Sequence, residues 1–319
     1  MAEFDFDRSD LQQVVALING KGGVGKTTIT TNSGGLLAAD GWRVLAVDLD
    51  PQGNVGLDLG YADTEQDDDG KELSKALVYG DAPRPLKNVR PGLDVLPGGH
   101  HLEGAAATLA SKIGKGGRAA AEGKMALAIA LSHISADYDI ILIDCPPNID
   151  VLQTVAVAAA RYVLIPTKTD AASKKGLILT ANRLDQVLDL NPELDLLGIV
   201  LFGTSQSAKR VRKEYVDEVN EVLGVTNADG IVFQSFISHS EATAKQTRNK
   251  GLLAHEVDDA VRTAPKWYES LKRGEKIASP GPVSAQSVAD SLQAVTQELV
   301  ARFTERAQAA EGEQETADV

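Results

Sequence analysis

An open α/β fold, with a doubly wound and mostly parallel sheet flanked by helices, is the class this sequence predicts. Three observations carry it. Short aliphatic or β-branched runs recur along the chain, each bounded by Gly, Pro, Asp or Asn. Between most of them lie longer stretches whose apolar residues repeat at three- and four-residue spacing. The short runs lack polar alternation, so they must be covered on both faces, which right-handed helical crossovers achieve.

The expected strands are Val14–Asn19, Arg43–Val47, Leu93–Leu96, Ile140–Ile143, Tyr162–Ile165, Leu197–Phe202 and Ile231–Phe236. The expected helices are Lys26–Ala39, Lys124–Ile134, Leu152–Ala159, Gly176–Leu188 and Val211–Leu223, closed by an amphipathic helix over Ala285–Ala307. Gly114–Gly117 reads as a flexible turn, and Thr263–Val283, with three prolines, has no clear period. No internal repeat or second core is visible, so one domain over residues 13–307 is expected, between a flexible acidic stretch (1–12) and a disordered acidic tail (308–319).

Composition narrows the function classes. The 319 residues carry 32 Lys+Arg against 45 Asp+Glu, a net charge of −13, which argues against a constitutively basic nucleic-acid coat protein. A single cysteine excludes an intramolecular disulfide framework, a CxxC zinc site and an iron–sulfur centre built from one chain's thiolates. No apolar run reaches the ~18–20 residues that span a bilayer. The acidic amino terminus is unlike a secretory signal, so a cytoplasmic protein is expected. The charge is unevenly spread: Arg161–Lys276 holds 17 Lys/Arg against 16 Asp/Glu, whereas the rest holds 15 against 29. The acid lies at the termini and in the loop Asp63–Glu72, where it reads equally well as a solubility feature. The carboxy-terminal half is free to carry a local basic face.

The first strand runs into Gly20-Lys21-Gly22-Gly23-Val24-Gly25-Lys26-Thr27-Thr28, which satisfies GxxxxGK[ST] between a strand and a helix. Glycine amides can wrap a phosphate because no Cβ obstructs them, and the following helix N-terminus favours the anion. Lys26 would pair with the β/γ-phosphates, and Thr27 would ligate Mg²⁺. The second strand ends in Asp48-Leu49-Asp50-Pro51-Gln52-Gly53-Asn54, at the carboxyl edge where open α/β sheets bind ligands. Four aliphatics, Ile140–Ile143, lead to Asp144, a second acidic strand end suited to Mg²⁺, followed by Cys145-Pro146-Pro147. Cys145 reads as a small buried residue. His100-His101 follow a Pro-Gly-Gly turn, show no ligand partners and read as loop histidines.

The string KGGVGKTT resembles the deviant Walker A box of the ParA/MinD ATPase family, and DLDPQGN resembles its switch I. The resemblance runs from about Val14 to Leu188, more loosely to the last helix, and DPQGN favours the ParA/Soj partition branch. It implies a P-loop NTPase binding ATP and Mg²⁺. Lys21 would reach the phosphates of a partner subunit in an ATP-sandwich homodimer, Asp50 would position or activate the attacking water, and Asp48 would stand nearer the Mg²⁺ shell. Pro147 would belong to switch II, which senses the γ-phosphate. Family members bind DNA without sequence preference through basic residues of the carboxy-terminal half. The candidates here are Lys209, Arg210, Arg212 and Lys213, with Lys245, Arg248 and Lys250 as a second group. A ParB-like centromere-binding partner and a nucleoid-associated location follow from the same resemblance.

Departures and rivals accompany it. Phe236-Ile237-Ser238 stands where relatives commonly carry an IPRN-like string near the adenine. Pro265-Lys266-Trp267-Tyr268 with Lys272-Arg273 reads as a Trp packed under a loop, with a partner surface as the alternative. The acidic terminus argues against stable membrane attachment of the MinD kind. Only about a dozen residues precede the first strand, too few for an amino-terminal helix-turn-helix domain. Positioning of a protein cargo, a MinD-like membrane-associated regulator and a P-loop amide ligase remain the rival functions.

Overall fold

The computed structural model describes residues 7–317 except 170, 205–208, 224–229, 239, 265–281 and 283. The Pro265–Arg273 stretch therefore lies outside the described residues, as do the side chains of Lys209 and Arg212.

Eight strands form one sheet in the order β3-β4-β2-β5-β1-β6-β7-β8. They are β1 (Val14–Leu17), β2 (Val44–Asp48), β3 (Leu86–Arg90), β4 (Leu93–Leu96), β5 (Ile140–Asp144), β6 (Tyr162–Thr167), β7 (Asp195–Phe202) and β8 (Val232–Ile237). All neighbours pair in parallel except β3 with β4. The expected fold class is confirmed.

Strand β3 was not expected, and its sequence shows why. Leu86-Lys87-Asn88-Val89-Arg90 is half-exposed, lies at the sheet edge and contains a bulge with Asn88 at φ 52°. An edge strand needs no continuous apolar run. Lys87 Nζ donates to Asp94 Oδ2 at 2.8 Å and to Tyr138 Oη at 3.0 Å, which anchors the edge.

Successive residues of β1 face opposite cores. Val14 and Ala16 pack on one side, Val15 and Leu17 on the other. The first face is covered by α3 (Lys71–Tyr79), α4 (His101–Gly114), α5 (Gly117–Lys124), α6 (Ala126–Ser132), α7 (Asp150–Ala159), α8 (Ala171–Asp185) and α9 (Lys209–Leu223). The second is covered by α1 (Lys26–Ala39), α2 (Asn54–Leu59), α10 (Glu241–Lys250), α11 (Ala254–Thr263) and α12 (Ala285–Ala317). Helix α12 lays Val288, Leu292, Val295, Leu299 and Phe303 on the sheet, a 3- and 4-residue stripe. Its Thr296 hydroxyl lies 2.8 Å from Ser33 Oγ on α1.

Three expectations are corrected. The stretch 1–12 is not flexible throughout: Arg8–Leu11 form a 3-10 turn, Leu11 is buried, and Arg8 donates to the Ala158 and Leu190 carbonyls. Those acceptors are distant in sequence, so composition could not reveal the anchor. The span Lys124–Ile134 is two helices, broken at Met125 (φ −86°, ψ 1°). Helix α12 continues past Ala307 to Ala317, through most of the segment expected to be disordered. Among the described residues, no helix is long and apolar enough to cross a membrane.

Candidate functional site

The carboxyl ends of β1, β2 and β5 meet because their registers align: Leu17 and Asp48 both stand opposite Asp144. This places the glycine-rich loop and both carboxylate strings at one edge. In the loop, Gly23 (φ 69°) and Gly25 (φ 91°) occupy left-handed conformations. Gly25 caps α1, and a Cβ there would fall 2.2 Å from the ring of Phe202 at the end of β7, which packs on the loop and lines the cleft. Val24 is buried, and Gly22 faces Pro147 across the cleft. The sequence reading missed Asn19 as a staple. Its side chain donates to the Pro166 carbonyl (2.9 Å) and accepts from the Lys21 amide (2.9 Å), tying the loop to β6.

Lys26 is buried, and its ammonium donates to the carbonyls of Asn19 (3.1 Å) and Lys21 (3.2 Å). Burial pulls its pKa below the ordinary lysine value, opposed by the nearby Asp144, Cys145 and Asp50. Thr27 Oγ1 donates to Asp144 Oδ2 at 2.6 Å. The other Asp144 oxygen is buried without a hydrogen-bond partner among the described residues. Burial pushes the Asp144 carboxyl up to about 7, against the Thr27 hydrogen bond and Lys26. A divalent cation would satisfy the orphaned oxygen and repay the desolvation, so Thr27 and Asp144 fit a Mg²⁺ site.

Asp48, expected nearer the Mg²⁺ shell, stands opposite Asp144 on the adjacent strand. Both its oxygens accept backbone amides, Asp50 N at 2.9 Å and Val55 N at 3.1 Å, so it shapes the loop from within. Burial, then Asp144, hold its carboxyl well above the usual range. Asp50 Oδ1 accepts from Gln52 N at 3.0 Å, and the side chain lines the cleft. The loop rests on Gly98, which sequence reasoning overlooked although Pro97-Gly98-Gly99 is a visible turn signal. A Cβ at Gly98 would lie 2.5 Å from Asp50 O and 2.6 Å from Asp48 Cγ. Gln153 donates to the Pro146 carbonyl (2.8 Å), fixing the loop that carries Pro147. Cys145 is buried and its thiol pKa is raised by burial, as a packed small residue requires.

The cleft opens into a cavity of about 300 Å³ that extends from Gly22, Gly25 and Thr28 to Ser238, Thr243 and Leu292. It is walled by α10 and α12 besides the loop. Arg248, expected among the DNA-contacting cations, lines this cavity and donates to Asp58 Oδ1 at 3.2 Å. The pairing has a cause: Asp58 is buried, burial raises its pKa, and the guanidinium offsets that cost while Arg248 itself stays half exposed. Lys245 and Lys250 on α10 are exposed, as are Arg210 and Lys213 on α9, although Arg210 also bonds Glu214 at 2.8 Å. Helices α2 and α10 touch at glycines, since a Cβ on Gly251 would fall 2.2 Å from Gly60 Cα. His100, read as a loop histidine, stands beside Asp69, whose Oδ1 accepts the His100 backbone amide at 2.8 Å and whose Oδ2 contacts its ring Nδ1.

Three comparisons with known proteins bear on this site. A family model described as an AAA domain matches residues 12–196. The chain is 34% identical over 222 residues to the chromosome partitioning protein ParA of Caulobacter vibrioides, covering 66% of this chain and 79% of that one. It is 36% identical over 230 residues to the sporulation initiation inhibitor protein Soj of Bacillus subtilis, covering 66% and 83%. Among solved structures, a cobyrinic acid a,c-diamide synthase from Mycobacterium smegmatis superposes with a TM-score of 0.59 at 27% identity, covering 83% and 97%. It has been solved with ADP and magnesium and with an ATP analogue and magnesium.

Proposed function

The chain belongs to the ParA-type family of P-loop ATPases, and from that premise we propose that it is a Mg²⁺-dependent ATP hydrolase whose nucleotide state switches DNA binding. Two ATP-loaded chains would pair through Lys21, and the pair would bind DNA without sequence preference. A ParB-like partner would stimulate slow hydrolysis and release it, so that the cycle segregates plasmid or chromosomal DNA. The partition roles named for the Caulobacter relative support this reading.

Thr27 and Asp144 would hold the Mg²⁺, which neutralises charge on the transferred phosphoryl group. Lys26 binds the β/γ-phosphates from its buried position, and Asp50 orients the attacking water. Little else is required, because phosphoryl transfer depends on in-line placement and charge compensation.

The observation that carries the switch is a continuous chain of contacts. Asp48 holds the amides of Asp50 and of Val55, the latter in the first turn of α2. Asp58 on α2 grips Arg248 on α10, and Gly60 abuts Gly251. Lys245 and Lys250 sit on that same α10, so a shift of the 48–55 loop would move a basic helix. Pairing doubles the cations presented to one duplex, which compensates for a near-neutral carboxy-terminal half.

Reversing Lys245 and Lys250 to Glu should weaken ATP-dependent DNA binding and reduce its log–log salt slope by about one per lost phosphate contact. Anisotropy titrations across a salt series measure both. Undiminished binding at low salt would place the DNA face elsewhere. The diamide synthase among the similar structures makes a metabolic ligase the second reading. ATP turnover raised by DNA and a ParB-type protein supports partition; turnover raised by an amide-accepting metabolite supports the ligase.

A further inference from the structure

We propose that Asp69, His100 and His101 form a binding site for a divalent transition-metal cation of the zinc class, set against the outer side of the Asp48–Gly53 loop. One ligand atom from each of the three residues lies within 4.8 Å of the other two. His100 Nδ1 contacts Asp69 Oδ2, and the two imidazole rings lie 4.3 Å apart, tilted by 30°.

The backbone builds this cluster deliberately. Asp69 adopts a left-handed conformation (φ 56°), and its amide donates to Asp67 Oδ1 at 3.0 Å. Its side chain accepts the His100 amide at 2.8 Å, and its carbonyl accepts the His101 amide at 3.3 Å. Gly99 makes the approach possible, since a Cβ there would fall 2.3 Å from Asp69 Oδ1. The acidic loop and the histidine turn, about thirty residues apart, are thereby locked together without any ion.

The donor set selects the ion. Two imidazoles and one carboxylate suit Zn²⁺, Ni²⁺ or Fe²⁺, whereas Mg²⁺ and Ca²⁺ take oxygen ligands. Bonds of about 2 Å require the ligand atoms to draw slightly closer, and both histidines are exposed and can rotate to do so. The Asp69 carboxylate is already oriented by the His100 amide, the kind of outer bond that fixes a ligand. None of the three residues belongs to the Thr27/Asp144 pair, so the site stands apart from the nucleotide's cation and does not rest on the ATPase reading.

Its position gives it a consequence. Gly98 and Gly99 are sandwiched, with Gly98 against Asp48 and Asp50 and Gly99 against Asp69. An ion joining Asp69 to His100 and His101 would clamp that turn and stiffen the floor on which the Asp50 loop rests.

The test is a Co²⁺ titration followed by visible absorption, on chelator-stripped protein saturated with Mg²⁺ and ADP. Wild type should bind one equivalent in a Mg²⁺-resistant, saturable manner, and Zn²⁺ should displace it. The double variant His100→Ala/His101→Ala should bind at least about 100-fold more weakly. Should that variant prove unstable, Asp69→Asn decides, because it keeps an acceptor for the His100 amide and should still lose at least about 10-fold. No saturable binding by wild type, or unchanged affinity in the folded variants, would overturn the proposal.

Discussion

Asp50→Ala should bind ATP and form the ATP-dependent pair while its turnover falls by about 10²–10⁴, the usual worth of a positioned acid–base group. Asp50 faces the cleft and contributes one bond to the loop's own structure, from Gln52 N at 3.0 Å. Losing it costs about 1.5–3 kcal/mol, as for a bond to a charged acceptor, and Asp48 still holds the loop by two amides. The loop should therefore keep its shape while the water loses its guide. Asp50→Asn separates the two roles, since it retains an acceptor for Gln52 but no negative charge; it should be as inactive as the alanine variant. Single-turnover phosphate release, with nucleotide affinity measured in parallel, checks both. Normal hydrolysis in either variant would remove Asp50 from the mechanism.

Gly98→Ala should be strongly damaging although it lies outside the phosphate loop. The added methyl would stand 2.5 Å from Asp50 O and 2.9 Å from Asp48 O, atoms of a buried backbone that cannot swing aside. Overpacking of this kind costs about 1–3 kcal/mol, and relief comes only by displacing the loop that carries Asp50. Both the melting temperature and turnover should fall, with turnover falling further than the loss of folded protein explains. Gly104→Ala is the control, because a Cβ on α4 there meets nothing within 4 Å. It should be neutral or slightly stabilising, as helix propensity favours Ala by up to about 1 kcal/mol.

Much of this site was legible in the sequence because its parts are local. The Gly20–Thr27 loop, the aspartates ending β2 and β5, and the parallel sheet behind them each declare themselves within a few residues. Their convergence followed from the strand-end rule for open α/β sheets. What escaped notice depends on contacts between distant segments. The pairing of Arg248 with Asp58, 190 residues earlier, has no local signal. His100 looked like a loop histidine until the left-handed turn at Asp69 brought a carboxylate beneath it. Gly98 carried a turn signal, but nothing local told that Asp48 and Asp50 would press on it. Edge strand β3 hid behind its polar residues, and Arg8 behind its place near the start of the chain.

ATP, and not ADP, should pair two chains through Lys21 and thereby create a DNA-binding surface. Sedimentation velocity of wild type and Lys21→Ala tests it most directly, each with Mg²⁺ and either ADP or a slowly hydrolysed ATP analogue, with and without a DNA duplex. Wild type should sediment as a dimer and carry DNA only with the ATP analogue, while Lys21→Ala should stay monomeric and unbound with both nucleotides. Equal mass and equal DNA binding with ADP and the ATP analogue, or a Lys21→Ala protein indistinguishable from wild type, would contradict it.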